Sequence, residues 1–168
     1  LTSKDLKNLV NNISVETTRK VFIDDSILEK KDWGEGWQWD DDMNVLMPRF
    51  NSYNLDGNLI KITVMPTQKG ATASIINPSK YPLVFLNNVI TDDVKVSRDN
   101  SISANTLSLE GTVNKPVILQ IPTNNLKRYF DIRLTSSLAD KNIYLKQNFI
   151  TSSVLPSDKE LDKITHPV

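Results

Sequence analysis

The chain has 168 residues, is 39% hydrophobic, and carries 20 basic and 20 acidic residues for a formal net charge of +0, with no cysteine. That apolar content is enough for one compact domain or two small ones and argues against disorder, while balanced, scattered charge argues against a nucleic-acid partner. Without cysteine there can be no disulfide, thiolate metal site or cysteine nucleophile, and no apolar run reaches the roughly 18 residues that mark a membrane span.

No charged-then-apolar leader opens at Leu1, so if the protein is exported its signal is expected outside these residues. Thr2-Ser3-Lys4-Asp5, followed by Leu6, Leu9, Val10 and Ile13, has helical spacing behind a capping residue and predicts a short amphipathic helix over 3–13. Lys20-Val21-Phe22-Ile23-Asp24 is β-branched and aromatic and predicts a strand, closed by the turn formers Asp24-Asp25-Ser26. Residues 27–58 then show little periodicity as far as Asp56-Gly57-Asn58, the pattern of a functional loop or of one packed by its own side chains.

From Asn58 to about Pro122 short strands alternate with turns. Leu59 to Met65 places Ile60, Ile62 and Val64 on alternate positions. Ala73-Ser74-Ile75-Ile76, Leu83-Val84-Phe85-Leu86, Val94-Lys95-Val96-Ser97, a run from Thr106 to Val113, and Val117 to Ile121 complete the set. Turn signals at such spacing predict an antiparallel sheet or a small barrel. Thr123-Asn124-Asn125 can cap a second helix in which Leu126, Phe130, Leu134 and Leu138 repeat every fourth residue, ended by Asn142. A strand at Ile143-Tyr144-Leu145-Lys146 and a further one at Phe149-Ile150 are expected before a charged tail. The element order predicts an α+β protein, mainly antiparallel β, in which an inner α/β domain built from both chain ends (1–57 plus 117–168) carries an inserted small all-β domain (58–116).

All three tryptophans fall in Asp32-Trp33-Gly34-Glu35-Gly36-Trp37-Gln38-Trp39-Asp40-Asp41-Asp42, beside the densest acidic run. Trp37 and Trp39 share a face of an extended backbone, and Gly34 and Gly36 permit tight geometry. Two readings stand side by side. Trp33, Trp37 and Trp39 could stack on a sugar as the platform of a glycan-binding module, or a buried tryptophan anchor could pin the long loop to a core.

Other constellations are weaker. His166, the single histidine, sits beside Pro167 in the tail, far from a triad. Asp40-x-Asp42-x-Asn44 copies the start of a calcium loop, but Val45 replaces the turn glycine and Asn51 the bidentate glutamate, so no metal is expected. Glu35 and Asp40 could form a glycosidase-like acid/base pair only if the fold holds them at a fixed separation; the alternative is a solvated acidic face. Gly34-x-Gly36 lacks the remaining glycine and the strand-to-helix setting of a dinucleotide site, there is no phosphate loop, and no cofactor is expected. No serine has a lysine three residues on, and Lys-Thr-Gly is absent; Ser52-Tyr53-Asn54 and Ser103-Ala104-Asn105 match only the short Ser-x-Asn pattern.

Val21-Phe22-Ile23-Asp24-Asp25-Ser26, then Gly36-Trp37-Gln38-Trp39-Asp40-Asp41, then Asn54 and Asn58-Leu59-Ile60-Lys61-Ile62-Thr63-Val64 together resemble the penicillin-binding D-alanyl-D-alanine carboxypeptidase/endopeptidase family of low molecular mass (class C type) that carries a large insertion. The resemblance implies that this chain corresponds to the inserted accessory domains. The family's nucleophile and lysine precede this region and its Ser-x-Asn and Lys-Thr-Gly elements follow it, in a transpeptidase-like catalytic domain. It further implies no catalytic residue in this chain, and gives Asp24, Asp25, Ser26, Gly36, Trp37, Trp39, Asp40, Asp41, Asn54 and Asn58 signature or structural roles. The implied partners are the catalytic domain of a parent chain and peptidoglycan, and the implied location is extracytoplasmic. Met43-Asn44-Val45-Leu46-Met47-Pro48 departs from the tyrosine pair and small residues the family shows there.

Overall fold

The computed structural model describes residues 1–13, 22–24, 34–38, 41, 43–90, 95–98, 105–145 and 150–151. Its order is helix α1 (Ser3–Asn12), strands β1 (Phe22–Ile23), β2 (Leu59–Met65), β3 (Ser74–Ile76), β4 (Val84–Val89), β5 (Lys95–Arg98), β6 (Thr106–Gly111) and β7 (Val117–Pro122), helix α2 (Leu126–Asp140) and strand β8 (Ile150–Thr151). This is an α+β protein, as the element order predicts. It divides into two compact units: Leu1–Gly34, Phe50–Asn58 and Asn125–Val168 form the first, and Glu35–Arg49 with Leu59–Asn124 the second.

In the first unit α1 packs against α2. Leu6 and Val10 of α1 and Leu126, Tyr129, Leu134 and Leu138 of α2 are buried, joined by Ile13, Tyr53, Leu55 and Ile143. Helix α1 starts in a capping box. The Thr2 hydroxyl accepts from the Asp5 amide at 3.2 Å, and the Asp5 carboxylate accepts from the Thr2 amide at 2.9 Å, so two orphan donors of the first turn are satisfied within it. Helix α2 starts with the Asn125 side chain accepting from the Arg128 amide at 2.9 Å. Its buried face includes Tyr129, whereas Phe130, which the four-residue repeat places in the core, lies half-buried with its ring edge-on to Tyr53 at 5.6 Å. A stripe of 3.6-residue period drifts away from a strict repeat of four, so the neighbouring position takes over.

The end of α2 corrects one expectation. Residues 143–145 form no strand: the Asn142 amide donates to the Ala139 carbonyl and the Ile143 amide to the Leu138 carbonyl, both at 2.9 Å, with Asn142 at φ 60°. This is a Schellman closure, and both Ile143 and Leu138 are buried. The amide of Ile143 is thereby committed to the helix end. Strands β1 and β8 pair in parallel, with Phe22 opposite Ile150.

The second unit holds two three-stranded sheets, ordered β3-β2-β7 and β4-β6-β5. Strand β2 is central and antiparallel to both neighbours, in register from Leu59↔Pro122 to Val64↔Val117 on one side and Thr63↔Ile76 on the other. Ile60, Ile62 and Val64 are fully buried and Lys61 is exposed, the alternation its sequence predicts. In the second sheet β4 runs parallel to β6, from Val84↔Thr106 to Val89↔Gly111, and β5 lies antiparallel on the far side. The arrangement is mainly antiparallel, as expected, with a parallel pairing of β4 and β6 inside it. Turn residues mark where strands stop but not which neighbour they pair with, and β5 pairs across β6 rather than with β4. Leu107, Leu109, Ile121, Val89 and Tyr81 complete this unit's core.

Candidate functional site

The aperiodic stretch of the sequence resolves into two polar turn systems, one in each unit. In the second unit, Gly36 turns with φ 83°, a conformation that side chains resist, although an added Cβ would meet nothing within 4 Å. Trp37 is half-buried and Glu35 exposed. The Asp41 carboxylate accepts from the Gln38 amide at 3.0 Å while the Asp41 amide donates to the Gln38 carbonyl at 3.1 Å. One carboxylate of the acidic run therefore closes its own loop. Asn44 then builds the next turn: its side chain accepts from the Leu46 amide at 3.0 Å and its carbonyl from the Met47 amide at 3.0 Å. Trp33, Trp39, Asp40 and Asp42 lie outside the described residues, as do Asp25 and Ser26 of the upstream signature, whose Asp24 is exposed at the end of β1.

In the first unit, asparagine side chains stand in for backbone partners along residues 51–58. Asn51 accepts from the Tyr53 amide at 2.9 Å, and Asn54 accepts from the Asn51 amide at 3.0 Å and from the Asn58 side-chain amide at 2.7 Å. Asn58, only 3% exposed, accepts from the Leu55 amide at 2.9 Å. Asp56, Gly57 and Asn58 stand at φ 53°, 64° and 60°. Three consecutive left-handed residues need types that tolerate that region, and Asp, Gly and Asn are the three that do so best.

That turn aims Asp56 at the start of α1. Its carboxylate accepts from the Ser3 amide at 2.7 Å, from the Ser3 hydroxyl, and from the Tyr129 hydroxyl of α2 at 3.0 Å. Arg133 of α2 donates through Nε to the Ser3 hydroxyl at 3.1 Å. Burial foremost, and then the adjacent Asp56 charge, push the Tyr129 phenol far above its usual pKa of 10.0, against a smaller opposing pull from Arg133. Ser3, Asp56, Tyr129 and Arg133 are singled out by no motif; the Asp-Gly-Asn turn signal marks the position of Asp56 but not its targets.

Chemically, these side chains bind one another and the backbone. Asn54 and Asn58 hold a turn, Asp41 holds a loop, and Asp56 joins α1, the turn and α2. Among the described residues no group of three His, Asp or Glu side chains is placed to hold a metal, and no helix is long and apolar enough to cross a membrane.

Similar folds are found among solved structures. Penicillin-binding protein 4 (dacB) from Haemophilus influenzae superposes with a TM-score of 0.67 at 20% identity, over 95% of this chain and 37% of that one. The same protein complexed with a β-lactam gives a TM-score of 0.54 at 13% identity, over 89% of this chain and 35% of that one. At such identities the likeness is one of fold, and the chain spans little more than a third of the structures it matches. A comparison with curated proteins finds no match. The model of the D-Ala-D-Ala carboxypeptidase 3 (S13) family matches residues 1–165, nearly the whole sequence. The chain belongs to the D-Ala-D-Ala carboxypeptidase 3 (S13) family.

Proposed function

We propose that this chain is a non-catalytic accessory region of a serine-type D-Ala-D-Ala carboxypeptidase/endopeptidase that acts on peptidoglycan outside the cytoplasm. Its role there is to shape access to the active site or to hold the enzyme at the wall. The observation that carries this reading is the pairing of a family match over residues 1–165 with a sequence that contains neither a serine followed three residues on by lysine nor Lys-Thr-Gly. Release of a terminal D-alanine through an acyl-serine needs an activated nucleophile and its base in one site. On this reading both belong to a transpeptidase-like domain of the parent chain, and Ser52 and Ser103 take no part in the chemistry.

The polar systems support the same reading. The described carboxylates at Asp41 and Asp56 accept from backbone amides and hydroxyls, the work of side chains that build loops. The test is labelling with a fluorescent penicillin. The chain by itself is expected to remain unlabelled, while a parent protein carrying the missing motifs labels. In that parent, excising residues 59–124 is expected to leave penicillin acylation in place and to reduce turnover of intact peptidoglycan. Covalent labelling of the isolated chain would overturn the proposal.

A further inference from the structure

Helix α1 has 10 residues and buries only Leu6 and Val10 within its span. A helix of that length is marginal in water without outside support. Its own sequence supplies Asp5 in the first turn and no basic residue in the last. The fold supplies a charge at each end from a distant part of the chain. At the start, the Asp56 carboxylate accepts from the Ser3 amide at 2.7 Å and from the Ser3 hydroxyl. At the finish, the Lys141 ammonium donates to the carbonyls of Val10 at 3.3 Å, Asn11 at 2.6 Å and Ile13 at 2.5 Å. Both signs match the helix dipole, with negative charge at the exposed amides and positive charge at the exposed carbonyls.

We propose that α1 is a latch held by two charges from outside the helix, Asp56 at its start and Lys141 at its end, and that it opens and closes as a local unit while the interior of α2 and the strand core of the second unit stay closed. Among the described residues, the charged and titratable groups bonded at the start of α1 are Tyr129, Arg133 and Asp5. Tyr129 donates to Asp56 at 3.0 Å, Arg133 reaches the same point through the Ser3 hydroxyl, and Asp5 adds its own charge at the first turn. Removing one external charge loosens the adjacent end without emptying the apolar seam of Leu6 and Val10 against α2. Local opening of this kind is read directly by amide exchange.

The experiment is residue-resolved hydrogen exchange on the intact protein, comparing wild type with Asp56→Asn, Lys141→Met and the double variant, each at low and high salt. Both single variants should exchange the α1 amides about tenfold faster, with the amides at Leu134 and Leu138 and those of β2 and β6 unchanged. Because dipole–charge interactions are screened, raising salt to about 0.5 M should speed α1 exchange in wild type and have little further effect in the double variant. Uniform acceleration across α1, α2 and β2 would mean global destabilisation and would overturn the latch. So would wild-type α1 exchange that ignores both salt and the two substitutions.

Discussion

Asn58 combines a buried side chain, a left-handed backbone and side-chain hydrogen bonds to Leu55 and Asn54, so its replacement acts through two separate physical terms. Asn58→Ala takes one partner each from the Leu55 amide and the Asn54 side-chain oxygen, and puts at φ 60° a residue that tolerates the left-handed region less well than Asn does. A loss of about 2–3 kcal/mol is expected in urea denaturation. Asn58→Gly removes the strain but not the missing bonds and should recover part of that loss; equal losses in the two variants would show that backbone strain contributes nothing. Tyr129 is the residue whose titration reports its bond to Asp56. Its folded pKa lies above the unfolded value of 10.0, so its contribution to stability is complete below pH 10.0 and fades as pH rises past it, where only the unfolded chain gives up the proton. Tyr129→Phe is expected to cost about 1 kcal/mol near neutral pH through the lost bond to Asp56, and to flatten the fall in stability above that value. Thermal melts across the alkaline range decide it: an unchanged alkaline slope would assign the effect to other groups.

Among the elements, β2 shows how alternation becomes stability. Ile62 is fully buried, whereas Ile118, opposite Thr63 on the outward face of the same sheet, is 67% exposed. Ile62→Ala should cost about 2–5 kcal/mol, and Ile118→Thr less than about 0.5 kcal/mol, both measured as shifts in the denaturation midpoint. Comparable losses at the two positions would mean that the outward face is covered. For α1, capping box and apolar spacing are both written in the first thirteen residues, and the helix stands where they predict. Its outside support from Asp56 and Lys141 is not legible there, because the partners come from 53 and about 130 residues away along the chain. The end of α2 fails as a sequence prediction for a related reason. Ile143-Tyr144-Leu145 has strand-like composition, but a left-handed Asn142 turns Ile143 back onto Leu138, and tertiary burial outweighs propensity.

At the scale of the whole chain, each unit has its own buried set, Leu6, Val10, Leu134 and Leu138 in the first and Ile62, Leu107 and Leu109 in the second. Leu109→Ala is expected to raise hydrogen exchange in β4 and β6, and Leu134→Ala in α1 and α2; a single pattern shared by both variants would show that the two cores unfold as one. The division assigns β7 to the second unit, since Val117–Pro122 pairs along the length of β2, and places residues 35–49 there as well. Local information carried the sequence a long way. Periodicity and capping chemistry lie within a few residues of each other, so both helices, the alternating β2 and the α+β class are legible without a structure, as are the turn at Asp56-Gly57-Asn58 and the missing serine-enzyme motifs. Pairing partners are not local. That β4 lies parallel to β6, that Asp56 grips Ser3 and Tyr129, and that Lys141 closes the far end of α1 depend on which distant segments share a core, and only the tertiary structure decides that.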